Sequence, residues 1–235
     1  MTKRFGFTLA EVLITLGIIG VVAAMTMPTL MNSTQGAQYK AAYKKALSAL
    51  SQAVTLNVAL DGSSFADVVA GTAGKTDKPA DGDSVASILG SRMNVVNQAS
   101  TATAAGYTSF PGTLGQAKSC KEADKKIGDE GCTVQSTDIS PDTFLFFNDG
   151  IMFAFGHDAA ACTNDGSTAT VNHCAGVIDV NGIKGPNKVV SCDKNTGTGS
   201  TACKVSNPTD IYPVVFYDQT ILPASDAAKV VLYSK

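Results

Sequence analysis

The chain begins with one long apolar run and then changes its periodicity. From Phe7 to Met31 it reads FTLAEVLITLGIIGVVAAMTMPTLM, in which Glu11 is the one charged residue. As a helix rising ~1.5 Å per residue this run is about 37 Å long, enough to cross a hydrocarbon core of ~30 Å. Residues 1–6, MTKRFG, precede it as a short leader whose charges are Lys3 and Arg4. Those cations hold the leader on the cytoplasmic side and send the bulk of the chain outward. A secretory signal peptide fits poorly, because its apolar region is shorter and ends at a small-x-small site. Ala23-Ala24-Met25 is the nearest such site, and the apolar run continues past it.

A polar patch, Asn32 to Gly36, interrupts the run, and a second helical pattern follows through residue 60. Tyr39, Tyr43, Leu47, Leu50, Val54 and Val58 recur at three- and four-residue steps and define one apolar stripe. Lys40, Lys44, Ser48, Gln52 and Thr55 occupy the other faces, so residues 32–60 read as an amphipathic continuation of the first helix. The stripe suits packing on a sheet better than it suits a ligand box built on Tyr39 and Tyr43. Asp61-Gly62 is a helix-stop signal.

Residues 61–235 form the head. Up to residue 142 the head is rich in Gly, Ala, Ser, Thr and Asp, with short helices expected at 65–69 and 85–89 and a loop over 71–83. The remainder is strand-like. Residues 143–147, the turn Asn148-Asp149-Gly150 and residues 151–155 predict a hairpin. A further strand is expected at 176–180, and 211–222 together with 229–233 supply one or two more, the last carrying the terminus. The fold class is α+β: a long N-terminal helix laid across an antiparallel sheet of about four strands, with disulfide loops between strands.

Glu11 changes the picture of a plain membrane anchor. An ionised carboxylate inside the bilayer costs about 2.5–3.5 kcal/mol even on the lenient insertion scale, and it calls for a named partner. Cleavage between Gly6 and Phe7 creates one, since the new α-amino group of Phe7 is a cation at a helix N-terminus. In a stack of identical helices staggered by about a turn, Glu11 of one copy faces the amine of the next. The alternative is a carboxylate snorkelling to the interface near the start of the helix.

The run Lys3-Arg4-Phe5-Gly6-Phe7-Thr8-Leu9-Ala10-Glu11 closely resembles the signal of type IV pilins and type II secretion pseudopilins. The resemblance implies a pilin-like fold, cleavage after Gly6 by a prepilin peptidase, methylation of the amine of Phe7, and Glu11 as the assembly glutamate. Gly17, Gly20 and Pro28 fall where that family carries helix-loosening residues, and Pro28 also deletes a helix hydrogen bond. Ala10 departs from the larger aliphatic usual before the glutamate but keeps the site apolar. The implied partners are copies of the chain and other pilins, the peptidase and an inner-membrane assembly platform. The implied location is a single pass in the inner (cytoplasmic) membrane with the head outside, then an extracellular or periplasmic filament. All of this rests on the first thirty residues or so.

Charge and cysteines add two points. Net charge is −2 and charged residues make up 16% of the chain, so no basic footprint for nucleic acid exists. Six cysteines, at 120, 132, 162, 174, 192 and 203, all lie in the second half, which suggests three disulfides and an oxidising compartment. Their spacing favours the sequential pairs Cys120–Cys132, Cys162–Cys174 and Cys192–Cys203, each closing a short loop worth roughly 2–3 kcal/mol.

The segment Asp179-Val-Asn181-Gly-Ile-Lys-Gly185-Pro-Asn187 offers oxygens at alternating positions. Asp179 and Asn181 provide part of a calcium site, although no bidentate acid completes an EF-hand loop; a turn held by Asx hydrogen bonds is the preferred reading. Zinc at His157, His173, Cys162 and Cys174 fails on spacing and because disulfides consume the thiols. No phosphate loop, H-E-x-x-H or G-x-S-x-G is present, so nothing argues for an enzyme or for an obligate cofactor. The function expected is a structural subunit of a type IV pilus or type II secretion pseudopilus. The alternative is a minor tip pilin whose head binds a surface, DNA or a secretion substrate.

Overall fold

Apolar stripe and stop signal together produce one helix, α1 (Leu9–Asp61), which runs unbroken for 53 residues, about 80 Å. The computed structural model describes residues 6, 8–108, 110, 115–116, 135–136, 141–163, 174–193 and 203–234. Lys3, Arg4, Phe7, Cys120, Cys132 and His173 lie outside the described residues. Gly62 ends α1 in the left-handed conformation (φ 78°), its N–H donating to the Val58 carbonyl, as the Asp61-Gly62 signal predicts. Pro28 lies inside α1 and the chain passes through it without leaving the helix, so the loosening expected there is not a break in the single chain.

Along α1 the head begins at Gly36. Pro208 rests on this residue so closely that a Cβ there would sit 3.0 Å from the ring Cδ. Below it, none of the apolar stretch Leu9–Pro28 is covered by the rest of the chain. Above it, Tyr43, Leu47, Leu50 and Val54 are buried, and the ring of Tyr43 stacks on Tyr212 with centroids 4.0 Å apart. The stripe is therefore core. Each such side chain contributes about 1.5–3 kcal/mol by leaving water.

Among the described residues eight strands follow: β1 (Val95–Ala99), β2 (Gly115–Gln116), β3 (Gln135–Ser136), β4 (Thr143–Phe147), β5 (Met152–Phe155), β6 (Ala175–Asp179), β7 (Ile211–Tyr217) and β8 (Thr220–Pro223). Six of them form one sheet in the order β1-β4-β5-β6-β7-β8, antiparallel throughout, while β2 and β3 make a separate parallel pair. The sheet is larger than the four strands expected. The hairpin β4–β5 falls where the sequence places it. The addition is β1, whose Asn97 and Gln98 lie exposed on the sheet edge and give no apolar alternation to read.

Both faces of the sheet are covered. Phe153 and Phe155 point towards α1, into a core shared with Phe65, Tyr212 and Phe216. Met152 and Ala154, one residue out of phase, enter a second core with Tyr107, Phe144 and Val215. Segment 99–110 supplies Ala99, Ala105 and Tyr107 to that second face.

Two shorter α-helices stand in the head among the described residues. Helix α2 (Val85–Arg92) is capped by Ser84, whose hydroxyl accepts from the Ser87 N–H. Arg92 at its end reaches both Asn57 and Asp61 of α1, clasping the two helices. The expected helix at 65–69 shrinks to a single 3₁₀ turn, Phe65–Asp67.

The strand expected at 229–233 is instead the C-terminal part of helix α3 (Asp226–Tyr233). The run Val230-Val231-Leu232-Tyr233 has β propensity, but Ser225 caps the helix through the Ala228 N–H and Asp226 complements its N-terminal dipole. Ala227, Ala228 and Val231 then share one buried face, so a period of 3.6 overrides local propensity. The chain consequently ends on a helix packed against α1, where Lys44 donates to the Ser234 carbonyl.

Disulfides link Cys162 to Cys174 and Cys192 to Cys203, with Cα–Cα distances of 5.6 and 5.1 Å. These are two of the three sequential pairs expected. The Cys162–Cys174 pairing also removes the thiols that the imagined zinc site required.

Candidate functional site: the exposed helix start

The first described turn of α1 is organised by Thr8 and Glu11. Thr8 has extended backbone (φ −75°, ψ 152°) and its hydroxyl accepts from the Glu11 N–H at 3.3 Å. The Glu11 carboxylate reaches back, and its Oε2 accepts from the Thr8 N–H at 2.8 Å and from the Thr8 hydroxyl at 2.9 Å. This reciprocal capping box satisfies two of the free donors at a helix start. Glu11 therefore has a partner within its own chain, which the sequence reading did not name; the S/T-x-x-E signature of Thr8 to Glu11 would have found it. Only Oε2 is used by Thr8, so the same carboxylate still presents an oxygen outward.

Beyond Glu11 the helix presents apolar side chains all round. Leu9, Leu13, Ile14, Ile18 and Ile19 are each more than half exposed. The two hydroxyls are silenced internally, Thr15 donating to the Val12 carbonyl and Thr26 to the Val22 carbonyl. That is the arrangement hydrocarbon demands, where each backbone and side-chain polar group must find its partner within the segment. A Cβ at Gly17 or Gly20 would meet nothing within 4 Å. Nothing among the described residues requires these glycines, and small residues on a lipid-exposed face are what lets helix backbones approach one another closely.

A second polar centre lies in the head, where β6 ends and β7 begins. Asp179 is fully buried: Oδ2 accepts from the Tyr107 hydroxyl at 2.8 Å and Oδ1 from the Asn181 N–H at 3.1 Å. Asp210, equally buried, accepts from the N–H groups of Asn187 and Lys188 at 2.7 and 2.8 Å. Asn181 donates through its amide to the Gly185 carbonyl, while its Oδ1 is buried without a partner. Two carboxylates thus pin both ends of the turn 180–188. Tyr107 and Asp210 were not singled out by sequence reasoning, since each acts across a long sequence separation.

Calcium needs six to eight oxygens around one point. Both carboxylates are already engaged by N–H and O–H donors, and no group of three His, Cys, Asp or Glu side chains stands together among the described residues.

Burial pushes the Asp179 carboxyl up to about 7; the Tyr107 and Asn181 hydrogen bonds oppose this and the charge of Asp210 adds to it. A raised carboxyl pKa stabilises the fold below the unfolded-state value and loses that contribution as pH rises through about 7. The midpoint of thermal unfolding should accordingly fall between pH 5 and pH 8. In Asp179→Asn that slope should flatten, and an unchanged slope in the variant would remove Asp179 as its source.

His157 pairs with Asp142 at the opposite end of the sheet through its ring Nδ1. The Asp142 carboxylate also accepts from the His157 N–H. The pair closes the open end of the β4–β5 hairpin, and no nucleophile adjoins it in the hydrogen bonding around it.

The family model for the prokaryotic N-terminal methylation motif matches residues 1–27. No curated protein and no solved structure matches the chain. The match spans the leader, the Gly6–Phe7 junction, Glu11 and most of the exposed apolar helix, and it points to a structural subunit rather than an enzyme. The chain thus carries at its start a prokaryotic N-terminal methylation motif, the type of signal that begins type IV pilins and pseudopilins.

Proposed function

We propose that the chain is a structural subunit of a type IV pilus or type II secretion pseudopilus filament. It is cut between Gly6 and Phe7, methylated on the Phe7 amine, and assembled through α1. Before assembly it sits in the inner membrane as a single pass with the head outside; afterwards it belongs to an extracellular or periplasmic filament. The observation that carries this reading is Glu11: one carboxylate at the head of an otherwise apolar, uncovered helix, four residues after the site where cleavage creates an amine.

Intact-mass analysis of the protein from its own cells tests the processing. Residues 1–6 should be missing and a methyl group should be present on Phe7. A leader retained in assembled material would end the proposal. The tip-subunit alternative differs in abundance, since a filament-forming subunit dominates sheared material and a tip subunit is present in traces.

The turn at Asp179 and Asn181 is, in this reading, a structural brace held by its own hydrogen bonds. Adding calcium or a chelator to the purified protein should leave its melting temperature unchanged; a rise with micromolar calcium would assign a cation to the turn instead.

A further inference from the structure

The head has two ends, and its charges are distributed unequally between them. Tyr43 meets Tyr212 early in β7, while Phe65, just past the end of α1, meets Phe216 late in β7. The strand β7 thus runs alongside α1 from the entry end, at Gly36 and Pro208, to the distal end at Gly62. The turn 180–188 precedes β7 and lies at the entry end. Loop 72–83 lies at the distal end, tied there by the Gly71 N–H to His157, by Ser63 to Asp83 and by the Gly74 N–H to Thr143. From Gly36 to Asp61 the two ends are about 38 Å apart.

At the distal end Arg92 is paired with Asp61 and Lys78 with Asp83. Among the described residues this leaves Lys75 against Asp77, Asp81 and Asp218, with Asp67 occupied by the Ser64 N–H and hydroxyl, an acidic surface. The entry end carries the opposite balance. There Lys45 pairs with Asp149, and Lys44 holds Ser234. Lys184 and Lys188 are exposed and form no ion pair among the described residues, on a turn that Asp179 and Asp210 make rigid. Asp193 is the other exposed acid near that turn, and it is occupied by the Ser206 N–H. Ile183, 52% exposed, stands beside Lys184 as an apolar knob on the same turn.

A parallel stack of identical subunits, staggered along its axis, brings the entry end of one head towards the distal end of another. We propose that turn 182–188 of one copy docks on loop 76–83 of a second copy, with Lys184 and Lys188 opposite Asp77 and Asp81 and Ile183 between them. The inference rests on the filament reading and names the head contact that reading lacks. Opposite charges on the two ends favour this register and reject end-to-end contacts of like sign. Being exposed, the contact weakens as salt rises.

The test uses the full chain in its own cells, scoring sheared filaments per processed subunit. Lys184→Glu with Lys188→Glu should lower the yield at least tenfold. Adding Asp77→Lys and Asp81→Lys to the same chain should restore at least half of it. Full yield from the lysine variant, or no restoration by the swap, overturns the contact; the second result would place the lysines against another surface, anionic lipid included. Should the charge variants fail to fold, Lys184→Cys with Asp77→Cys should give a ladder of cross-linked copies from sheared filaments on a non-reducing gel, and absence of the ladder overturns it. Glu11→Ala separates the two levels. Filaments lost with Glu11→Ala but kept with the lysine variant would remove this contact alone, whereas absence of the unaltered chain from sheared filaments would remove the filament reading itself.

Discussion

Glu11→Ala should leave cleavage after Gly6 intact and reduce incorporation into filaments by about a hundredfold. In the proposed reading the peptidase acts on the junction four residues away and does not need the carboxylate. Assembly does, because the amine of Phe7 would otherwise enter an apolar bundle unpaired. Removing one partner of a buried ion pair costs about 3–5 kcal/mol, chiefly because the other charge remains uncompensated. A cost of about 3 kcal/mol per added subunit is already more than a hundredfold in equilibrium. The capping box sharpens the expectation, because Thr8 occupies only Oε2 and leaves the carboxylate able to face a neighbouring amine. The measurement is the ratio of sheared to total processed protein in cells making each variant. Filaments at the wild-type level would eliminate the charge pair and leave the snorkelling carboxylate as the account of Glu11.

Phe216→Ala should cost the head about 3–5 kcal/mol, the range for emptying a buried phenylalanine site. Phe216 has no exposed surface and lies 5.0 Å from Phe65, 5.8 Å from Phe153 and 6.1 Å from Phe155, ring centre to ring centre. These rings join the end of α1, β5 and β7, so the cavity opens at the junction of the core and cannot close by moving one side chain. Against a typical total of about 5–15 kcal/mol, such a loss approaches the whole stability of a small head. Denaturant unfolding of the purified protein gives the number. Phe216→Leu, which keeps most of the volume, should cost less than half as much. Equal losses for the two variants would show that the site responds to the aromatic contacts and not to the cavity.

Much of this architecture was legible without coordinates because it is periodic or local. The stripe from Tyr39 to Val58 repeats at helical spacing, and its burial against the sheet needs nothing beyond that repeat. The Asn148-Asp149-Gly150 turn between two apolar runs fixes the β4–β5 hairpin for the same reason. Two described disulfides follow sequence proximity, since short loops close most readily. Failures came where the deciding contact is distant or the signal is polar. Strand β1 has an exposed edge and an irregular register at Val95–Asn97, so its sequence lacks alternation. The final helix is hidden in the sequence because valines at 230 and 231 favour strands, while its cap lies in Ser225 and its packing face is set by α1.

The sequence alone determined the membrane-length helix, the Gly6–Phe7 junction, the lone carboxylate at position 11 and the class of the fold. These are one-dimensional properties: length, hydropathy, charge and spacing along a single element. Only the tertiary structure decided that Thr8 holds Glu11, that Tyr107 and Asp210 brace the turn beside Asp179, and that Lys184 and Lys188 stand at the opposite end of the head from Asp77 and Asp81. Each of those depends on hydrogen bonds or placements between side chains whose directions the chain acquires by folding.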